Sequence, residues 1–168
     1  VFAPHDFHAR YDAAGKLYAY TLYIGPGPVP PRLEPYVWQT PALNHAAMDA
    51  AAGVLAGRHD FASFQNVGTP IADTTRTVWS IKCEQGVAGP MRCPEEWPVV
   101  TWFFYGEGFL KQMVRNLMGL MVYAGLGKAE PDDIRHYLSV EDRRAVPSIT
   151  APAKGLTLLR VEYPQERF

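Results

Sequence analysis

Gly106-Glu107-Gly108-Phe109-Leu110-Lys111-Gln112-Met113-Val114-Arg115-Asn116 is the stretch around which the chain is organised. Apolar residues recur at Leu110, Met113, Val114, Leu117, Met118, Met121 and Val122, the i, i+3, i+4, i+7 spacing of one helical face. The pattern predicts the most amphipathic helix of the chain, opened by this stretch. At about 100° per residue, Lys111 and Arg115 share one flank of the apolar stripe. Their stems must run along apolar surface and deliver charge at its edge. Taken alone, the stretch describes a core helix with two snorkelling cations.

Working outward, 99–105 and 76–84 are rich in β-branched and aromatic residues and read as strands. The Gly/Pro-punctuated segment 85–98 between them reads as a long hairpin connection. Residues 16–24 form another strand, with Tyr18, Tyr20 and Leu22 on one face and Leu17, Ala19, Thr21 and Tyr23 on the other. An extended run over 7–13 precedes it, split off by Ala14-Gly15. Five prolines make 25–35 a loop. Residues 43–56 read as a helix with Asn44 as N-cap, Leu43 and Met48 as a hydrophobic staple, and Gly57 as the stop. Residues 58–64 read as a loop anchored by Phe61 and Phe64. A short helix over 131–138 starts with proline and acids, and 156–163 closes the chain as a strand. The order β-β-α-β-β-α-α-β, without a repeated βαβ crossover, predicts an α+β fold. Its sheet is antiparallel or mixed, with the helices packed on one face.

At 168 residues with 48% hydrophobic and 20% charged content, the chain is an ordinary globular sequence of one domain. No apolar run reaches the length of a membrane span, and no signal-peptide pattern opens the chain. Two cysteines, Cys83 and Cys93, are too few for a disulfide scaffold, so a reducing cytoplasm is expected. A net charge of −1 argues against indiscriminate polyanion binding and leaves room for a local basic patch. The chain begins at Val1 without a methionine, which reads as a fragment of something longer.

Gly-x-Gly-Phe-Leu-x-x-Met-Val-Arg-Asn over 106–116 is accompanied by five further pieces. They are Phe7-His8-Ala9-Arg10, Tyr18-x-Tyr20, Gly57-x-His59-Asp60-Phe61-x-Ser63-Phe64, Thr75-Arg76-Thr77-Val78 and Lys154-Gly155-Leu156. In this order they resemble the second half of the bacterial tRNA pseudouridine synthase A family, from about Phe7 to Tyr163. The resemblance implies that Tyr18 lies against the target uridine of an anticodon stem-loop, where stacking is worth about 1–3 kcal/mol per base. It implies that Leu156 packs on the same base and that Arg115 pairs with the catalytic aspartate and orients it. An arginine suits that role because it stays protonated and grips a carboxylate with two prongs. The family has a basic residue where Leu17 stands, a charge that Lys16 could supply. Its nucleophilic aspartate lies in a Gly-Arg-Thr-Asp-Ala-Gly motif that this sequence lacks, and neither Asp60 nor Asp73 sits in such a context.

The resemblance therefore implies a C-terminal domain over residues 1–168, inactive alone. Its partners would be the missing N-terminal half, tRNA and, as a homodimer, a second copy. No cofactor is implied, because the isomerisation is redox-neutral. Arg10, Lys16, Arg58, His59, Arg76, Lys111 and Lys154 are candidates for phosphate contacts, and only clustering on one face would separate them from ordinary surface charges. Residues 130–142 hold five acids and one arginine and should face away from RNA.

Two rival classes stand beside this reading. The dipeptides His5-Asp6 and His59-Asp60 suggest a metal-dependent phosphohydrolase, yet His8, His45 and His136 offer no ligand-like spacing. Cys83 and Cys93, with nine residues between them, match no common zinc knuckle, so no metal ligand is assigned. The non-catalytic alternative is an RNA-binding or dimerisation module using the sheet aromatics as a stacking surface.

Overall fold

The computed structural model describes residues 4–66, 68, 71–94 and 96–164. In chain order its elements are β1 (Gly15–Ile24), β2 (Trp38–Thr40), α1 (His45–Leu55), β3 (Gly57–Asp60), β4 (Thr75–Gln85), β5 (Val87–Ala88), β6 (Met91–Arg92), β7 (Val99–Gly106), α2 (Met113–Gly125), α3 (Pro131–Ser139) and β8 (Leu156–Glu162). Strands β2, β1, β7, β4 and β3 lie side by side, and β8 also pairs with β1. β2 runs parallel along Leu22–Ile24 and β8 antiparallel along Gly15–Tyr20, so the two share the outer edge of β1. The sheet is mixed and the fold is α+β, as the element order predicts.

Alternation along the strands sorts the residues into two cores. Tyr20 opposite Trp102 and Leu22 opposite Val100 face the helices. There they join Phe104, Met48, Leu55, Leu117, Met121 and Ile134 in the main core. On the other face Tyr23 and Val99 gather with Leu33, Val37 and Ala88 under the short β5–β6 hairpin. The Thr21 and Thr101 hydroxyls meet there at 2.9 Å, and Thr101 donates to the Val87 carbonyl at 2.6 Å. α1 starts where the sequence predicts: the Asn44 side chain accepts from the Ala47 N–H at 3.2 Å. It ends at Leu55 with Ala56 already extended, and Gly57 follows at a φ of +112°, which few L side chains tolerate.

Four expectations change. Residues 7–13 form turns rather than a strand. The His8 N–H donates to Asp12 Oδ2 at 2.8 Å and the Asp12 N–H to the His8 carbonyl at 3.0 Å, local bonds that compete with a ladder. The predicted loop over 58–64 contributes β3, paired antiparallel with β4. The 85–98 connection contains its own hairpin, β5–β6. Finally, α2 begins at Met113 and not at Leu110, because Gln112 sits at φ 67° and turns the chain before the first helical residue. Nor is α2 apolar on one face only. Met113, Val114 and every residue from Asn116 to Val122 are buried, because the segment 146–152 covers the side turned away from the sheet.

Candidate active site

Tyr18, Arg115 and Leu156 line one cavity of about 790 Å³, together with Arg10, Lys16, Arg76 and Lys111. Tyr18 enters it from β1 at an irregularity. Leu17 pairs with Arg160 but Tyr18 with Leu158, a bulge in the partner strand beside the tyrosine. The half-buried ring stands edge-on to Phe109, with centroids 5.4 Å apart and planes at 87°. Burial pushes the Tyr18 hydroxyl above its ordinary pKa. Leu156, at the start of β8, pairs with Tyr20 on the neighbouring strand.

Arg115 stands in the first turn of α2. Its Nε donates to the Ala151 carbonyl at 2.6 Å, and its Nη1 donates to Gln112 Oε1 at 2.6 Å. The Ala151 N–H returns a bond to the Arg115 carbonyl at 3.1 Å. Ala151 belongs to a strap, 146–152, that several side chains lace down. Buried Asn116 accepts from Thr150 Oγ1 at 2.6 Å and donates to the Phe64 carbonyl at 2.8 Å. Tyr20 donates its hydroxyl to the Pro152 carbonyl at 2.5 Å. Arg143 donates to the carbonyls of Val146 (3.0 Å) and Ser148 (2.8 Å), and burial lowers its pKa. The strap lies flat on α2 only because Gly119 has no side chain: a Cβ there would stand 1.9 Å from the Ile149 oxygen. Gly155 is required for a similar reason, since its Cβ would meet the Tyr20 ring at 2.6 Å. Gly155 and Asn116 in the sequence motifs are thus tied to the placement of Arg115 and Leu156.

The cavity lining carries five cations and, among the described residues, no carboxylate. Lys16 registers that imbalance. Burial lowers its pKa, and repulsion from Arg10 and Arg76 lowers it further. A chain of net charge −1 has therefore concentrated positive charge at one place, with the acidic stretch 130–142 outside it. Such a lining attracts an anionic ligand, and the Tyr18 and Leu156 side chains add apolar surface for a flat base.

Other candidates lie elsewhere. The His59 ring is bonded to the Ala56 carbonyl at 2.9 Å and lines a separate cleft with Val54, Pro131 and Leu138. Arg58, one residue before it on β3, projects to the opposite face of that strand. Lys154 pairs with Glu34 at 2.5 Å. Asp60 accepts from the Ala62 N–H and the Thr74 hydroxyl, and Asp73 from the Thr75 N–H, which holds its carboxyl below the usual range. Cys83 and Cys93 are free thiols, and Cys83 is exposed. No group of three or more His, Cys, Asp or Glu side chains is gathered among the described residues. Sequence reasoning missed Phe109 and Gln112 as members of the site. Phe109 stood inside a quoted motif, but its contact with Tyr18 joins residues 91 positions apart.

A sequence model described as tRNA pseudouridine synthase matches residues 51–164. The chain belongs to the tRNA pseudouridine synthase family. It is 50% identical over 161 residues to tRNA pseudouridine synthase A of Solidesulfovibrio magneticus, covering 94% of this chain and 56% of that protein. The protein of the same name from Nitratidesulfovibrio vulgaris strain Miyazaki F is 48% identical over 181 residues, covering 97% of this chain and 65% of the relative. A more distant relative with that name, from Chlamydia trachomatis serovar L2b, is 38% identical, covering 98% and 57%. The chain thus spans a little over half to about two-thirds of the length of these synthases, which form a family of isomerases.

Proposed function

We propose that this chain is the base-holding part of an enzyme that isomerises uridine to pseudouridine in the anticodon stem-loop of tRNA. The observation that carries the reading is the meeting of Tyr18, Leu156 and Arg115 in one cation-lined cavity, with Arg115 97 positions after Tyr18 and Leu156 41 positions after Arg115. In this reading the uridine, lifted from its stack, lies on the Tyr18 ring with Leu156 against it. Arg10, Lys16, Arg76 and Lys111 take the neighbouring phosphates, while Arg58 and His59, outside the cavity, are left to more distant phosphates. A carboxylate from the remainder of the polypeptide attacks the uridine as the glycosidic C–N bond breaks. The base turns, its C5 bonds to the ribose C1′ as the carboxylate is released, and C5 gives up a proton while N1 takes one. Atoms and electrons balance within the substrate, so the isomerisation calls for no redox partner. Arg115 keeps the carboxylate ionised and aimed. The reducing cytoplasm suits the two free thiols, and no helix among the described residues is long and apolar enough to cross a membrane.

The test joins this chain to the portion of the Solidesulfovibrio relative that it does not match, and measures pseudouridine in tRNA transcripts. The chain alone is expected to form none, and the chimera to turn over. Arg115→Ala in the chimera should lower kcat by about 100-fold with tRNA affinity largely kept, because a misaimed catalytic group acts on the chemical step. Arg115→Lys should restore part of the rate, since lysine keeps charge but not the two-pronged grip. Tyr18→Phe should cost less than Tyr18→Ala. Turnover by the isolated chain would refute the reading. An Arg115→Ala chimera that lost affinity and kept its rate would favour the non-catalytic RNA-binding module, which the carboxylate-free cation cluster also suits.

A further inference from the structure

Gln112 combines two features that local physics sets against each other. Its φ of 67° lies in the left-handed region, where side chains other than glycine, asparagine and aspartate are uncommon. It also stands at the N-cap of α2, yet its side chain caps nothing. Glycine would make this turn without strain, and Ser, Thr, Asp or Asn would satisfy the helix N-terminus. What glutamine does instead is accept a hydrogen bond from Arg115 Nη1 at 2.6 Å.

An arginine has five N–H donors in a rigid plane. Nε is committed to the Ala151 carbonyl and one Nη1 donor to Gln112. Two anchor points fix the plane of the guanidinium and its rotation in that plane. The remaining donors, one on Nη1 and two on Nη2, have no partner among the described residues, and Arg115 lines the cavity with Tyr18 and Leu156. Nη2 keeps both of its donors and Nη1 keeps one, so each of these nitrogens can still donate to a carboxylate. A neutral amide is the suitable anchor, since a carboxylate at position 112 would occupy that edge itself.

We propose that Gln112 is a positioning residue: its amide, aimed by the left-handed backbone, holds Arg115 so that the Nη edge faces the catalytic carboxylate. The inference rests on the role given to Arg115 under Proposed function. It explains why strain persists at a turn that glycine would relieve, since glycine carries no amide.

Gln112→Gly and Gln112→Ala separate the two features, because both remove the amide and only alanine keeps the strain. In the chain itself, the glycine variant should melt above the alanine variant by about 2–4 °C. Side-chain ¹⁵N spectra should show the Arg115 Nη1 protons averaging faster in both variants, with Nε–H unchanged. In the chimera both should lower kcat by about tenfold with KM unchanged, whatever their melting order. Gln112→Glu should lower kcat further by pairing with Arg115. Adding Gln112→Gly to Arg115→Ala should cost nothing more. A wild-type kcat in Gln112→Gly, or a kcat that followed melting temperature across the series, would overturn the proposal. If Arg115→Ala itself kept its rate, the role of Arg115 would fail first. If Arg115→Ala lost its rate and Gln112→Gly did not, only the present inference would fail.

Discussion

Replacing Gly119 by alanine sets two effects of known sign against each other inside α2. In a helix interior alanine is about 1 kcal/mol more favourable than glycine. Opposing this, the new Cβ would stand 1.9 Å from the Ile149 oxygen and 3.1 Å from its carbonyl carbon, whereas ordinary contact begins at 3.4 Å. Those are backbone atoms, so no rotamer change relieves the clash and the strap has to retreat. Such overpacking costs about 1–3 kcal/mol. Retreat also stretches the bonds between Ala151 and Arg115 and between Thr150 and Asn116, each worth about 1 kcal/mol. The net loss is about 2–4 kcal/mol, and Tm should fall by roughly 5–12 °C for a chain of this size. Gly53→Ala is the control. It lies in α1 with nothing within 4 Å of its ideal Cβ, so only the propensity remains and Tm should rise by about 2–4 °C. Thermal and urea denaturation followed by circular dichroism measure both. A Gly119→Ala protein as stable as wild type, or stabilised like Gly53→Ala, would refute the packing of the strap on α2.

At the alkaline end, burial raises the Tyr20 pKa above its ordinary value of 10.0, with a smaller opposing pull from Arg115. Above pH 10 the unfolded chain then releases a proton that the folded chain retains, so stability present below pH 10 is lost as pH rises. Tyr20→Phe should flatten that limb of a stability-against-pH curve, and an unchanged limb would exclude Tyr20 as its source. Isolated, the chain is also expected to self-associate through the β8 edge, where Leu158 is 49% exposed. Size-exclusion chromatography over a concentration series should show a rising apparent mass that Leu158→Lys abolishes, and a monomer at every concentration would contradict this.

The local elements were legible because their signals are local. Asn44 and Gly57 bracket α1 by capping chemistry that acts within one turn, and the aromatic alternation of 16–24 follows from the pleat of a single strand. Residues 7–13 misled for a related reason. Their composition suits a strand, but a ladder needs a partner, and the Asp12–His8 bonds satisfied the backbone first. β3 failed in the opposite direction. Arg58 and His59 carry little strand signal, and their pairing with Thr77 and Arg76 is a property of the sheet.

The same division runs through the site. By itself the sequence supplied the side chains that the cavity gathers: an arginine on the flank of an apolar stripe, a tyrosine on a strand, and cations spread over the chain. It determined neither which cations cluster nor how the arginine is held. Arg76 and His59 are cross-strand neighbours, yet Arg76 lines the Tyr18 cavity and His59 turns to the Ala56 carbonyl. Arg115 is fixed by an oxygen 36 positions downstream and by an amide whose backbone lies where few glutamines do. Propensity and periodicity record what each residue prefers among its near neighbours in the chain. A strap pressed against a glycine, or a left-handed glutamine, is stable only through contacts that exist once distant segments have packed.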